Sequence, residues 1–142
     1  MSRKVNVSKV TEQADLEKVF AIRHEVFVDE QNCPPELERE FEDESNHFLA
    51  TVDGEPAGAS RWRKTDKGYK LERFAVQKNF RGFGVGQALV DAVLKDLPAD
   101  AGYVYLHAQT PAVSLYERFN FEKEGPEFEE AGIKHYKMVL KK

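Results

Sequence analysis

The stretch that most constrains this chain runs from Leu71 to Val90. The segment Leu71-Glu72-Arg73-Phe74-Ala75-Val76 reads as a strand, Gln77-Lys78-Asn79-Phe80 leads out of it, and Arg81-Gly82-Phe83-Gly84-Val85-Gly86-Gln87 reads as a tight turn opening a helix. Glycines at these positions let the backbone bend sharply and leave successive amide groups uncovered by side chains. At a helix start such amides lack intrahelical partners, and the aligned peptide dipoles favour negative charge, so a phosphate or pyrophosphate is the natural guest. Arg81 and Lys78 add positive charge at the same point. Two common phosphate loops do not fit. A dinucleotide fingerprint needs a sixth-position glycine, but the chain has Gln87 counting from Gly82 and Leu89 counting from Gly84. A Walker loop needs Lys-Ser or Lys-Thr after its last glycine, and Gly86 is followed by Gln87 and Ala88. A strand-to-helix connection that is merely rich in glycine is the competing explanation.

The 142 residues suit a single domain, 1–142, with one sizeable core. A net charge of -4 argues against a general nucleic-acid binder, which would carry a basic excess. A single cysteine, Cys33, permits no intrachain disulfide, so a reducing cytoplasm is the simplest compartment. The N-terminus lacks the apolar stretch of a signal peptide and no segment has the length and apolarity of a membrane span, so no membrane association is expected. The four histidines, at 24, 47, 107 and 135, are scattered without ligand spacing, and no metal is implied.

In chain order, Val5, Val7 and Val10 lie in a first strand, and Thr11 or Asp15 would cap a helix reaching about Val28. Its apolar stripe is Leu16, Val19, Phe20, Val26 and Phe27, with Arg23 on the same face. A guanidinium there calls for a buried carboxylate partner, with contact to substrate as the alternative. Pro34 and Pro35 make a loop of Val28 to Pro35, and the acidic run Glu36 to Glu44 reads as a solvated face or as an attractor for a cationic amine. A meander follows: a strand His47 to Val52, the turn Asp53-Gly54, a strand Pro56 to Arg63, and a strand Tyr69 to Val76. Alternation sets Leu71, Arg73 and Ala75 on one face of the last strand and Glu72, Phe74 and Val76 on the other, unless a bulge shifts the phase. The helix after the glycines carries Val85, Ala88, Leu89, Ala92, Val93 and Leu97 and ends at Pro98. A strand Tyr103 to Ala108, a short helix opening at Pro111, a charged hairpin connection containing Gly125-Pro126 and Ala131-Gly132, and a strand Lys134 to Leu140 complete the chain. The order β-α-loop-β-β-β-α-β-α-β indicates an α/β (α+β) fold with a mixed, mostly antiparallel sheet and helices on both faces.

Arg81-x-x-Gly84-x-Gly86 after a strand ending in Ala75-Val76 resembles the pyrophosphate loop of the GNAT superfamily of acyl-CoA N-acyltransferases. Ala112-x-x-Leu115-Tyr116-Glu117-x-Phe119-Asn120-Phe121 is similar to a second signature of that superfamily, and the element order matches over essentially the whole chain. Asn120 replaces the usual glycine but tolerates the same left-handed helix end, and Gln109 stands where many members have Asn. Arg23-x-x-Val26-Phe27-Val28-x-Glu30-Gln31 further resembles the bacterial ElaA-like acyltransferases.

The resemblance implies an N-acetyltransferase that moves an acetyl group directly from acetyl-CoA to a primary amine of a small molecule or protein. Phe74, Ala75 and Val76 would bind the pantetheine arm as a strand would, with one amide polarising the thioester oxygen. Arg81, Gly82, Phe83, Gly84, Val85, Gly86 and Gln87 would hold the pyrophosphate. Tyr116 would protonate the departing thiolate, a role that suits a phenol neutral at pH 7; the alternative is a core tyrosine with a satisfied hydroxyl. For the base, Glu72 could accept the amine proton directly or through water, or it could be a structural partner of Arg73 or Arg61. His107 is the second candidate, and Cys33 is expected to be a spectator. The segments Gln31 to Asp43 and Glu124 to Ile133 would shape the acceptor pocket. A homodimer through a paired or exchanged C-terminal strand is compatible with this sequence. The competing function is a noncatalytic acyl-CoA-binding or sensor module.

Overall fold

The computed structural model describes residues 4–35 and 40–141. Its sheet is built from β1 (Val5–Lys9), β2 (Ser45–Val52), β3 (Glu55–Lys64), β4 (Tyr69–Val76), β5 (Val104–Gln109), β6 (Phe121–Lys123), β7 (Phe128–Glu130) and β8 (Ile133–Leu140). The strands lie in the order β1-β2-β3-β4-β5-β8-β6, with β7 also paired to β8. Every pairing is antiparallel except β4 with β5. That exception follows from the connection: α2 (Val85–Asp96) carries the chain back across the sheet, and a parallel neighbour needs such a crossover. At the β2–β3 hairpin, Asp53 and Gly54 have φ of 51° and 86°, the paired left-handed conformation that matches strand twist.

The two faces of the sheet are covered by different helices. On one, Val85, Leu89, Val90 and Val93 of α2 pack with Phe48, Ala50, Val52, Leu71, Val104, Leu106 and Met138. Full burial of each such aliphatic side chain is worth roughly 1.5–3 kcal/mol. On the other, Val19, Ile22 and Val26 pack on Leu49, Ala59 and Ala75. Gly58 of β3 sets the approach of α2, because a Cβ there would lie 2.9 Å from Val85 Cγ1 and 3.0 Å from Leu89 Cδ1.

Three local features differ from the sequence expectations. The first helix, α1 (Gln13–Arg23), has Glu12 at its N-cap with no side-chain cap bond, so neither Thr11 nor Asp15 caps it. It then continues as a widened π-helical segment, His24–Glu30, beyond Val28. The hairpin connection after α3 (Val113–Glu117) contains two short strands, β6 and β7, both paired with β8. Alternation alone misses them because each spans only three residues. Finally, β4 is bulged. Ala59 pairs with Ala75 but Arg61 pairs with Glu72, so β4 has one residue more than β3 over that interval, and Arg73 takes φ 58°. Leu71, Phe74 and Val76 therefore share the α2 side while Ala75 belongs to the α1 side, correcting the simple alternation.

Candidate active site

The parallel pairing of β4 and β5 stops early. Tyr69, Lys70 and Leu71 pair with Val104, Tyr105 and Leu106, and no further. The bulge at Arg73 bends β4 away, so among the described residues no strand pairs with the β5-facing edge of Phe74 to Val76. A cavity of about 130 Å³ occupies this split, with Leu71, Phe74, Leu106, Ala112 and Tyr116 in its wall on the α2 side. Phe27, Gln31, Glu72, His107, Glu130 and His135 also line it, and Lys70, Arg73 and Gln109 complete the wall. The lining thus comes from both faces of the sheet.

At the C-terminal end of β4 the chain makes a short 3-10 turn, Lys78–Phe80, and reaches the glycines. Gly82 and Gly84 have φ of 89° and 81°, and nothing lies within 4 Å of where a Cβ would stand at either. Gly84 is the N-cap of α2 and supplies no side chain to its first amides, which leaves them available to an anion. Arg81, expected to hold a pyrophosphate, stands beside this turn with its side chain bonded to protein groups. Its Nε donates to the Val76 carbonyl at 2.9 Å and its guanidinium makes two 3.0 Å bonds to Glu30, bracing the turn against the π-helical segment. Phe83 is exposed.

Tyr116 sits on α3, where Pro111 opens the preceding 3-10 turn and Asn120, at φ 71°, ends the helical run as glycine would. Its ring packs edge-on against Phe74 and Phe121, with centroids 5.7 and 6.2 Å away. Burial pushes the phenol above its ordinary pKa, so it stays protonated at neutral pH.

Glu72 lines the cavity, but its carboxylate is occupied. Arg61 Nε and Arg63 Nε donate to Oε1 at 3.1 and 2.7 Å, and Lys70 Nζ lies 3.1 Å from Oε2. Burial alone would raise its pKa, yet the Arg63 hydrogen bond and the charges of Arg61 and Lys70 outweigh it and hold the carboxyl at about 2. A base that weak is poorly matched to an amine proton. The geometry corresponds to the structural-partner alternative, with Arg61 as expected and Arg63 and Lys70 in addition. Arg23 likewise meets a carboxylate: its two terminal nitrogens donate to the two oxygens of Glu42 at 2.9 Å. Glu42, which also accepts from Arg61, is therefore not part of a solvated acidic face. The earlier part of that run, 36–39, lies outside the described residues.

The segments expected to shape an acceptor pocket contribute Gln31 and Glu130. Gln31 and Gln109 exchange amide hydrogen bonds of 3.2 and 2.9 Å across the mouth of the split. His107 Nδ1 lies 3.2 Å from Glu130 Oε2. Lys70, His135 and the specific meeting of Glu130 with His107 had no sequence signal, since they depend on strand register. Cys33 does not line the cavity.

Comparison with known proteins gives this arrangement a family. Residues 8–142 match the model of the acetyltransferase (GNAT) domain. An uncharacterized N-acetyltransferase of Bacillus subtilis, YjcF, is 43% identical over 140 residues, covering 96% of this chain and 98% of its own. An acyl-CoA N-acyltransferase from Pseudomonas aeruginosa superposes with a TM-score of 0.82 at 26% identity, covering 99% of this chain and 100% of that one. Escherichia coli ElaA superposes with a TM-score of 0.80 at 26% identity, covering 98% and 99% of the two chains. At 15% identity, a GNAT family acetyltransferase from Elizabethkingia anophelis, solved with acetyl-CoA bound, shares the fold with a TM-score of 0.73 over 96% of this chain and 97% of that one. This chain therefore belongs to the GNAT acetyltransferase family and is an acyltransferase.

Proposed function

We propose that the protein is an acetyl-CoA-dependent N-acetyltransferase that carries the acetyl group directly from thioester to a primary amine. The observation that carries this reading is the split between β4 and β5, with uncapped amides at one end and Tyr116 in its wall. The residues fit the coenzyme. No side chain occupies the Cβ positions of Gly82 and Gly84, so a diphosphate can approach the amides of Val85, Gly86 and Gln87 closely. The edge of Phe74, Ala75 and Val76 offers backbone groups to the amides of a pantetheine arm as another strand would. Arg81 contributes charge beside the turn, and its exposed pair with Glu30 is worth only about 0–1 kcal/mol, so a phosphate competes readily for the guanidinium. Bound acetyl-CoA supplies the activated acyl group and a thiolate leaving group. Tyr116, buried and protonated, is the donor of the proton the sulfur requires. Glu72 organises the cations of the cavity wall. The cavity volume suits a slender primary amine or the tip of a longer one.

The test is a thermal-shift comparison of acetyl-CoA, ATP and NADH, followed by a screen of amines with acetyl-CoA that monitors free thiol. Stabilisation by acetyl-CoA and amine-dependent thiol release are expected. Stabilisation by ATP or NADH alone, or binding of acetyl-CoA without turnover on any amine, overturns the proposal; the latter outcome is the mark of a sensor.

A further inference from the structure

His107 and Glu130 form a hydrogen-bonded pair in the cavity wall on the side away from α2. Leu71 and Leu106 are the last residues that β4 and β5 pair, and the next residues on each strand are Glu72 and His107. These two side chains therefore flank the split, and both line the cavity. Glu72 is committed to Arg61, Arg63 and Lys70. His107 is not committed in that way. A carboxylate only accepts, so the 3.2 Å contact to Glu130 Oε2 puts the ring proton on Nδ1 and leaves the Nε2 lone pair open. Among the described residues, no hydrogen bond is made to Nε2. Phe128 packs edge-on against the imidazole at 5.1 Å and Tyr105 at 6.2 Å, which limits rotation of the ring. Glu130 itself is fixed by the β7–β8 hairpin, where it pairs with Ile133. The hydrogen bond from His107 holds its carboxyl below the ordinary range, so it is ionised at neutral pH.

We propose that His107 is the general base for the acceptor amine and that Glu130 is the residue that positions it. This assignment rests on the acetyl-transfer reading. The amine nitrogen forms its bond to the acyl carbon and sheds a proton to His107 Nε2. The carbon–sulfur bond breaks, and the thiolate takes a proton from Tyr116 on the opposite wall. Solvent then removes the proton from His107 and reloads Tyr116, so the protein neither gains nor loses a proton over a turnover. Base and acid thus act from opposite sides of the split. The charged and titratable groups around the ring are Lys70, Glu72 and Arg73 from β4, Tyr105 from β5, Glu130 from β7, His135 and Lys137 from β8, and Tyr116 from α3.

The experiment compares wild type with His107→Ala, His107→Gln and Glu130→Gln. Amine-dependent thiol release, its pH profile and the thermal shift with acetyl-CoA are measured, and nitrogen NMR is recorded on 15N-histidine-labelled protein without substrate. Both His107 variants are expected to lose on the order of 100-fold or more in kcat while keeping the acetyl-CoA shift, and added imidazole restores part of the rate of His107→Ala. The NMR is expected to show an Nδ1-protonated ring. Loss of the Glu130 charge makes proton uptake at Nε2 less favourable, so Glu130→Gln is expected to lower kcat, keep the acetyl-CoA shift and move the acid limb of kcat/KM to lower pH; a purely structural role would leave that limb in place. A folded His107→Gln that retains wild-type kcat within threefold, or an Nε2-protonated ring, overturns the assignment while leaving the acetyl-transfer reading intact. A wild type that releases no thiol with any amine overturns both.

Discussion

Tyr116 draws its suitability as an acid from its surroundings. Only 6% of the residue is exposed, and no hydrogen bond among the described residues holds its hydroxyl. Replacing it with Phe removes the proton and little else. Tyr116→Phe is expected to lower kcat by about 100-fold, leave the acetyl-CoA thermal shift unchanged, and alter the unfolding free energy by less than about 0.5 kcal/mol. Glu72 behaves in the opposite way, because its value is structural. Its carboxyl titrates at about 2 in the folded chain against 4.5 ordinarily, so the stabilisation is complete above pH 4.5 and is lost as pH falls toward 2. At 1.36 kcal/mol per unit the upper figure is about 3 kcal/mol, measurable as a fall in urea midpoint across that window. Glu72→Gln should flatten that window and cost about 3 kcal/mol at pH 7, since Arg61 is fully buried and would lose a counter-charge. The pairing of Glu72 with Arg61 could be raised from the sequence, but the addition of Arg63 and Lys70 could not. All four positions lie on neighbouring β3 and β4, and only register decides which cations converge.

Elements were legible where a local backbone requirement is written into one or two residues. The Asp53-Gly54 hairpin, the glycine turn and the left-handed Asn120 are of this kind. Gly84→Ala should therefore cost about 1–2 kcal/mol in thermal or urea unfolding through its φ of 81°, because a Cβ there meets no atom within 4 Å. Gly84→Asn should cost less. At Gly58 the reason is different: a Cβ would stand 2.9 Å from the Ala75 carbonyl oxygen and 2.9 Å from Val85, so Gly58→Ala should destabilise by about 1–3 kcal/mol through overpacking between β3 and α2. The π-helical widening after Arg23 escaped the sequence, and the bulge it allowed for in β4 could not be placed at Arg73, because no Gly or Pro marks either place.

At the scale of the whole molecule, Arg23, Glu42, Arg61 and Glu72 form a chain of charge linking α1, the turn before β2, β3 and β4. Because Glu42 and Glu72 share Arg61, the costs of Glu42→Gln and Glu72→Gln should fail to add by about 0.5–3 kcal/mol in a double-mutant cycle of urea unfolding. That network ends at Glu72 in the cavity wall. Residue order alone determined the alternation of strands and helices, the uncapped turn and the tyrosine after the last crossover, since each is a matter of neighbours along the chain. Folding in three dimensions decided where β4 and β5 part, which cations silence Glu72, and that Glu130 meets His107 from 23 residues away. Such meetings are set by pairing register, and a single extra residue at Arg73 is enough to exchange the faces on which side chains emerge.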